Sequence, residues 1–110
     1  MANAAKRKGD KAELEVQTML SDLLGVNARR ALGAGRLDDV GDIHGIPHTV
    51  IQVVNRADIN VAIRLKMPEL ERQMTNAQAR FGAVFARRRG GQFVVVQTPE
   101  QWASLWLAAQ

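Results

Sequence analysis

From Asp10 to Leu24 the apolar positions Ala12, Val16, Met19, Leu20, Leu23 and Leu24 recur at three- and four-residue spacing. That period predicts an amphipathic helix, and Gly25 is a natural stop. Glu13 and Glu15 fall on its polar flank. Segment 27–42, NARRALGAGRLDDVGD, has no such period. Its first residues suit a short strand, and Gly33, Gly35 and Gly41 make the remainder loop-like. Residues 49–54, TVIQVV, are rich in β-branched side chains and bounded upstream by Gly45 and Pro47, which predicts a strand. Ile43 is placed to close a preceding strand that pairs with it. After Asn55 and Arg56 the chain turns toward helix. Residues 57–65 are ambiguous, and Pro68 fits the first turn of a helix running through Leu70, Met74 and Ala77.

The stretch FGAVFARRRGGQFVVVQ predicts strands over 81–87 and 92–97, joined as a hairpin by a basic Gly-Gly turn. Thr98 has the chemistry of an N-cap, Pro99 of the first helical position and Gln101 of the reciprocal capping partner. The helix they open is expected to bury Trp102, Leu105 and Trp106 on a common side. The order is helix, two or three strands, helix, hairpin, helix. It predicts a small α/β domain with a mixed sheet and helices on its faces.

Composition narrows the class. A chain of 110 residues suffices for one modest core, and 46% apolar with 24% charged residues is ordinary for a globular protein. Cysteine is absent, so no disulfide framework or thiolate zinc site is available, and a reducing, cytoplasmic setting is expected. The basic start MANAAKRKGDK leads into an amphipathic pattern rather than an apolar core, so neither a signal peptide nor a membrane anchor is expected. Residues 1–8 read as a flexible basic arm. Net charge is +4 with a pI near 10.3, which favours polyanionic partners. The cations cluster: Lys6, Arg7, Lys8 and Lys11 at the start, Arg29, Arg30 and Arg36 around the glycine-containing loop, and Arg87, Arg88 and Arg89 in a second block.

One residue sits oddly in this pattern. The strand TVIQVV is apolar throughout except for Gln52, and Gly41-Asp42 precedes it. Two readings are open. In the first, Asp42, the Gln52 amide and a main-chain carbonyl are hard oxygen donors of the type that holds Mg²⁺, with Glu13 adding a carboxylate directly or through water. In the second, Asp42 caps a turn, Gln52 satisfies a backbone group and Glu13 faces solvent. His44 and His48 are four apart, but Gly45 and Pro47 between them argue against a shared helical face. No third His or Cys completes a zinc set, so they read as loop residues able to contact phosphate.

The segments KRKGDKAELEV, ALGAGRLDDVGDI, VIQVVN and ERQMTNAQARFGAVFARRRG together resemble the archaeal-type Holliday junction resolvase branch of the PD-(D/E)XK nuclease superfamily, particularly its phage-encoded members. The resemblance spans roughly residues 6–97. It implies a restriction-endonuclease-like mixed central sheet flanked by helices, a homodimer, and Mg²⁺- or Mn²⁺-dependent cleavage of branched or four-way DNA in recombination, within a phage-infected or bacterial cell. By that resemblance Gly41-Asp42 is the metal-ligating motif and Glu13 the first-helix glutamate. Gln52 and the Val53 main-chain carbonyl then complete the metal set, and Gln73 matches a helix glutamine. Lys6, Arg7, Lys8, Arg29, Arg30 and Arg36 are the expected DNA contacts.

The motif strand departs from the family. It normally carries Glu-x-Lys, sometimes Gln-x-Lys, and here reads Gln52-Val53-Val54. Valine neither activates water nor stabilises phosphorane charge, so Lys66, Arg56 and Lys11 are candidate replacement cations. Three functions follow: a metal-dependent, structure-specific endonuclease; a DNA-binding protein on the same scaffold with a weakened or inactive site; or a small structural protein whose basic patches are incidental.

Overall fold

Helix α1 spans Ala4–Leu24 in this computed structural model, which describes residues 4–31 and 40–110, with side chains from residue 7 onward. Its apolar stripe is used as the period requires: Ala12, Val16 and Leu20 are buried. The helix starts earlier than the apolar pattern does. Alanine, lysine and arginine are strong helix formers, and residues 4–8 of the expected arm carry helical backbone.

Strands β1 (Arg29–Arg30), β2 (Ile43–His44) and β3 (Thr49–Val54) form an antiparallel meander. Helix α2 (Ile59–Ala77) then carries the chain over to β4 (Phe81–Arg87), which runs parallel to β3 with Thr49 opposite Phe81 and Val54 opposite Ala86. Strand β5 (Phe93–Val96) returns antiparallel on β4, giving a mixed sheet ordered β1-β2-β3-β4-β5. Strand β3 is central and covered on both faces. Ile51 and Val53 join Ile43 and Ala83 under α1. Val50 and Val54 join Val84 and Ala86 under Ala62 and Leu70 of α2. A strand buried on both faces reads as an unbroken apolar run, which is why TVIQVV does not alternate.

Helix α2 corrects the expectation for its segment. It begins at Ile59, where the Asp58 carboxylate accepts from the N–H groups of Asn60 and Val61 at 3.0 and 3.3 Å. Pro68 lies in its interior, not in its first turn. The cap and the packing of Ile59, Ala62, Met67, Leu70 and Met74 on the sheet outweigh the hydrogen bond that proline removes. Tight approach of α2 to β4 also needs Gly82, because a side chain there would collide with Met74.

Helix α3 (Pro99–Ala108) opens with the expected capping box: Thr98 Oγ1 accepts from Gln101 N–H at 3.1 Å, and Gln101 Oε1 from Thr98 N–H at 2.8 Å. Its apolar face is not buried as expected. Trp102, Leu105 and Trp106 are 58%, 42% and 51% exposed. Helical period identifies a face but not what covers it. Leu105 borders an apolar groove of about 250 Å³ with Leu20 and Leu24 of α1, Ile51, Phe85 and Val95. Among the described residues no helix is long and apolar enough to cross a membrane.

Candidate functional site

Asp42 is delivered to β3 by a glycine. Gly41 has φ +101°, and a Cβ there would lie 2.8 Å from Val50 Cγ1 and 3.0 Å from the Ile51 carbonyl oxygen. Only a residue without a side chain lets the backbone lie this close to the strand. Asp42 N–H then donates to the Ile51 carbonyl at 2.8 Å, and the Asp42 carbonyl accepts from Ala31 N–H at 2.8 Å. The side chain turns onto β3, where Oδ2 accepts from Val53 N–H at 2.8 Å. A carboxylate thus takes the place of a main-chain acceptor on this edge. Paired residues in a ladder exchange both their N–H and C=O bonds, so the two groups of one residue face the same edge. The Val53 carbonyl therefore faces the side of β3 on which Asp42 lies.

Gln52 is 1% exposed and lies on the α2 side of the sheet. Its Nε2 donates to Glu69 Oε2 at 2.7 Å. The same oxygen accepts from Lys66 Nζ at 3.0 Å, an i,i+3 pair on α2. An amide inside an apolar strand is thereby satisfied by a charged acceptor, which is the stronger kind of hydrogen bond. Gln73, one turn beyond Glu69, is buried and shares a cleft of about 270 Å³ with Glu69, Arg72, Thr75 and Asn76. Glu69 was not among the residues singled out from the sequence. The signal for it was indirect: a buried Gln requires a partner, and a helix packs across its strand.

The remaining candidates divide. Val54 is buried among Val50, Ala62, Leu70, Val84 and Ala86, where it packs the apolar layer under α2. Lys66 reaches Gln52 through one shared oxygen of Glu69. Arg56 lies in an exposed turn beyond the strand, and Lys11 is exposed on α1. Glu13 faces Arg30, whose Nε and Nη2 donate to Glu13 Oε1 at 3.1 and 2.9 Å, while Nη2 also meets Asp10 Oδ1 at 2.7 Å. Burial works against the Arg30 charge, and the hydrogen bonds and Coulomb attraction of Glu13 and Asp10 outweigh it, raising its pKa above the ordinary arginine value. This arginine, expected to contact DNA, is held by two carboxylates and ties α1 to β1. Arg7, Lys8 and Arg29 are exposed. Arg36 and the side chain of Lys6 lie outside the described residues. His44 falls in β2 rather than a loop, and His48 sits at a turn with φ +59°.

Asp42, the Val53 carbonyl and Gln52 fit a Mg²⁺ or Mn²⁺ ion in kind. Val53 N–H uses one of about four acceptor positions on the Asp42 carboxylate. With Nε2 turned to Glu69, the Gln52 oxygen is the other branch of the same amide. Mg²⁺ characteristically keeps several waters and takes one or two carboxylates, so such a small set suits it. Among the described residues no group of three or more His, Cys, Asp or Glu gathers for a metal, so the acidic component here is Asp42, with Glu69 behind Gln52. Compared with known proteins, the chain matches no family model, no curated protein and no solved structure.

Proposed function

We propose that this protein is a divalent-metal-dependent endonuclease of the restriction-endonuclease-like fold, acting as a homodimer on branched DNA in the manner of a Holliday junction resolvase. The observation that carries the reading is the Asp42 carboxylate on the Gln52–Val53 peptide, 2.8 Å from Val53 N–H. It sets Gly41-Asp42 against the strand that carries Gln52, which supports the reading. A bound Mg²⁺ or Mn²⁺ supplies polarisation of the phosphodiester and a lowered pKa for the attacking water. Asp42 contributes the charge of the site, and Val53 and Gln52 contribute neutral oxygens. Glu69 fixes which way the Gln52 amide points and returns, one bond further out, the negative charge that Gln in place of Glu removes. Lys66 joins a cation to that arrangement through Glu69. The exposed Trp102, Trp106 and the apolar groove beside Leu105 offer the surface for a second copy.

One observation favours a second reading, a DNA-holding protein without catalysis: Val54 is packed into the apolar layer, and Lys66 is engaged by Glu69. Incubating labelled four-way, splayed and duplex DNA with the protein and Mg²⁺ or Mn²⁺ separates the two. Metal-dependent nicking, strongest on four-way DNA, is the expected result. Tight binding without cleavage in either metal would establish the second reading instead.

A further inference from the structure

The carboxyl ends of β3 and β4 open into a cleft of about 330 Å³ lined by Lys8, Asn55, Arg56, Arg87, Arg88 and Arg89 together with Ala57 and Gly90. Five of these side chains are cationic and none is acidic. They come from three separate parts of the chain. Asn55 Nδ2 donates to the Lys8 carbonyl at 3.5 Å, joining the end of β3 to α1. Arg87 is fixed from below by Glu15 of α1, with Nε 3.3 Å from Oε2, and its guanidinium lies over Gly91, where a Cβ would sit 3.2 Å from Nη2. Arg88 and Arg89 are carried on a closed turn: Gly91 N–H donates to the Arg88 carbonyl at 3.0 Å and Arg88 N–H to the Gln92 carbonyl at 2.6 Å. Gly90, with φ +94°, supplies the left-handed third position that such a turn requires.

Arg87 is partly offset by Glu15, but Lys8, Arg56, Arg88 and Arg89 brought together beside it repel one another, and an anion in the cleft relieves that repulsion. Ligands of open α/β sheets bind outside the carboxyl ends of the strands, where this cleft lies. We propose that it is a phosphate-binding subsite whose ligand is the sugar-phosphate backbone of a DNA strand leading to Asp42 and Gln52. The inference rests on the DNA-binding part of the function proposed above, not on catalysis. From Gln52 to Asn55 the strand advances about 10 Å. At about 3.4 Å per nucleotide along one strand of a duplex, the cleft holds a phosphate about three nucleotides from the site. Arg30, paired with Glu13 and Asp10, leaves phosphate neutralisation to cations such as these.

The test is fluorescence anisotropy of labelled four-way DNA in EDTA over a salt series, so that cleavage plays no part. Arg88→Ala/Arg89→Ala is compared with Arg64→Ala/Arg80→Ala, which removes the same charge from other exposed positions, and with Arg56→Ala. All four cleft and control arginines at 64, 80, 88 and 89 are exposed, and circular dichroism verifies folding. The cleft double variant is expected to bind about tenfold more weakly, with the salt dependence falling by roughly 0.9 for each phosphate that is no longer neutralised. Arg56→Ala is expected to show a smaller loss of the same kind, and the control pair little change. Equal losses in cleft and control pairs, or none in either, would overturn the subsite. Wild-type protein that fails to bind DNA at all would overturn both the subsite and the proposed function. Cleft-dependent binding without cleavage by wild type in metal would leave the subsite standing and remove only the catalytic reading. Oligonucleotides with 5′-hydroxyl and 5′-phosphoryl ends compare internal with terminal phosphate. Equal binding is the proposed result, and a strong preference for the phosphorylated end would overturn the backbone assignment.

Discussion

Asp42→Asn is expected to lower metal-dependent DNA cleavage by about 10³-fold or more while leaving the fold intact. The carboxylate has two duties that this substitution separates. One is structural: Oδ2 accepts Val53 N–H at 2.8 Å on an edge where no main-chain acceptor takes that bond. An asparagine oxygen in the same position still accepts it, as a neutral and weaker acceptor, so the thermal midpoint should fall only modestly. On the proposed reading the other duty is electrostatic: Asn removes the Asp42 charge beside the Gln52–Val53 peptide, so a divalent ion there would be held by neutral oxygens of Gln52 and Val53. Losing a single donor to developing charge costs about 10²–10³ in other active sites, and loss of the charged metal ligand should cost at least as much. Asp42→Ala is the weaker experiment because it also strands the Val53 N–H. Single-turnover cleavage of four-way DNA by wild type and Asp42→Asn, with melting curves on both proteins, checks the prediction. Equal rates would mean that Asp42 only completes the strand edge.

The second large effect is on stability. Gly41→Ala is expected to destabilise the fold by about 3 kcal/mol, because two costs add. An alanine held in the left-handed region loses roughly 1–2 kcal/mol. Its methyl would also press on Val50 Cγ1 at 2.8 Å and on the Ile51 carbonyl at 3.0 Å. The Ile51 backbone is not free to move away, since β3 is paired in parallel with β4 through six residues from Thr49 to Val54. Overpacking against such a wall costs about 1–3 kcal/mol. For a domain near this size the loss lowers the midpoint by on the order of 15 °C. Gly9 provides the contrast: it lies within α1, and a Cβ there meets nothing within 4 Å. Gly9→Ala should therefore stabilise by about 0.5–1 kcal/mol. Denaturant or thermal melts of the two variants check both signs at once.

What the sequence makes legible follows from how locally each feature is determined. Thr49–Val54 could be read from its β-branched run and Phe81–Arg87 from an apolar run ending at a basic Gly-Gly turn, because strands buried on both faces need apolar runs. The Thr98–Gln101 capping box is local chemistry and could be read directly. Strands β1 and β2, of two residues each, are too short to carry a period. The first could be read only as a strand suited to the start of segment 27–42, and the second only from Ile43 as a partner for Thr49–Val54. Helix α2 was obscured by Pro68, a residue that normally marks a helix start. Its true start rests on Asp58 and on packing against a sheet formed by residues distant in sequence.

The site divides in the same way. The placement of Asp42 beside the strand of Gln52 was legible, because a strand ending near Ile43 was expected to pair with it; the close packing of Gly41 on Val50 and Ile51 was not. Glu69 was not, because its role is created by tertiary packing that sets α2 across Gln52. The pairing of Glu13 with Arg30 was hidden for a related reason: sequence gives the charges of a helix face and a strand, not which of them meet. Exposure of Trp102 and Trp106 follows suit, since an amphipathic face is written in the chain and its covering is not.

The most direct test of the account is whether Asp42, Gln52 and the Val53 carbonyl hold a divalent cation. Mn²⁺ titration followed by the electron paramagnetic resonance of the free ion measures this on the intact protein, with no DNA and no turnover. Wild type is expected to bind one ion per chain saturably, with displacement by excess Mg²⁺ and loss of binding in Asp42→Asn. Absence of saturable binding, or equal binding by the two proteins, would contradict the account.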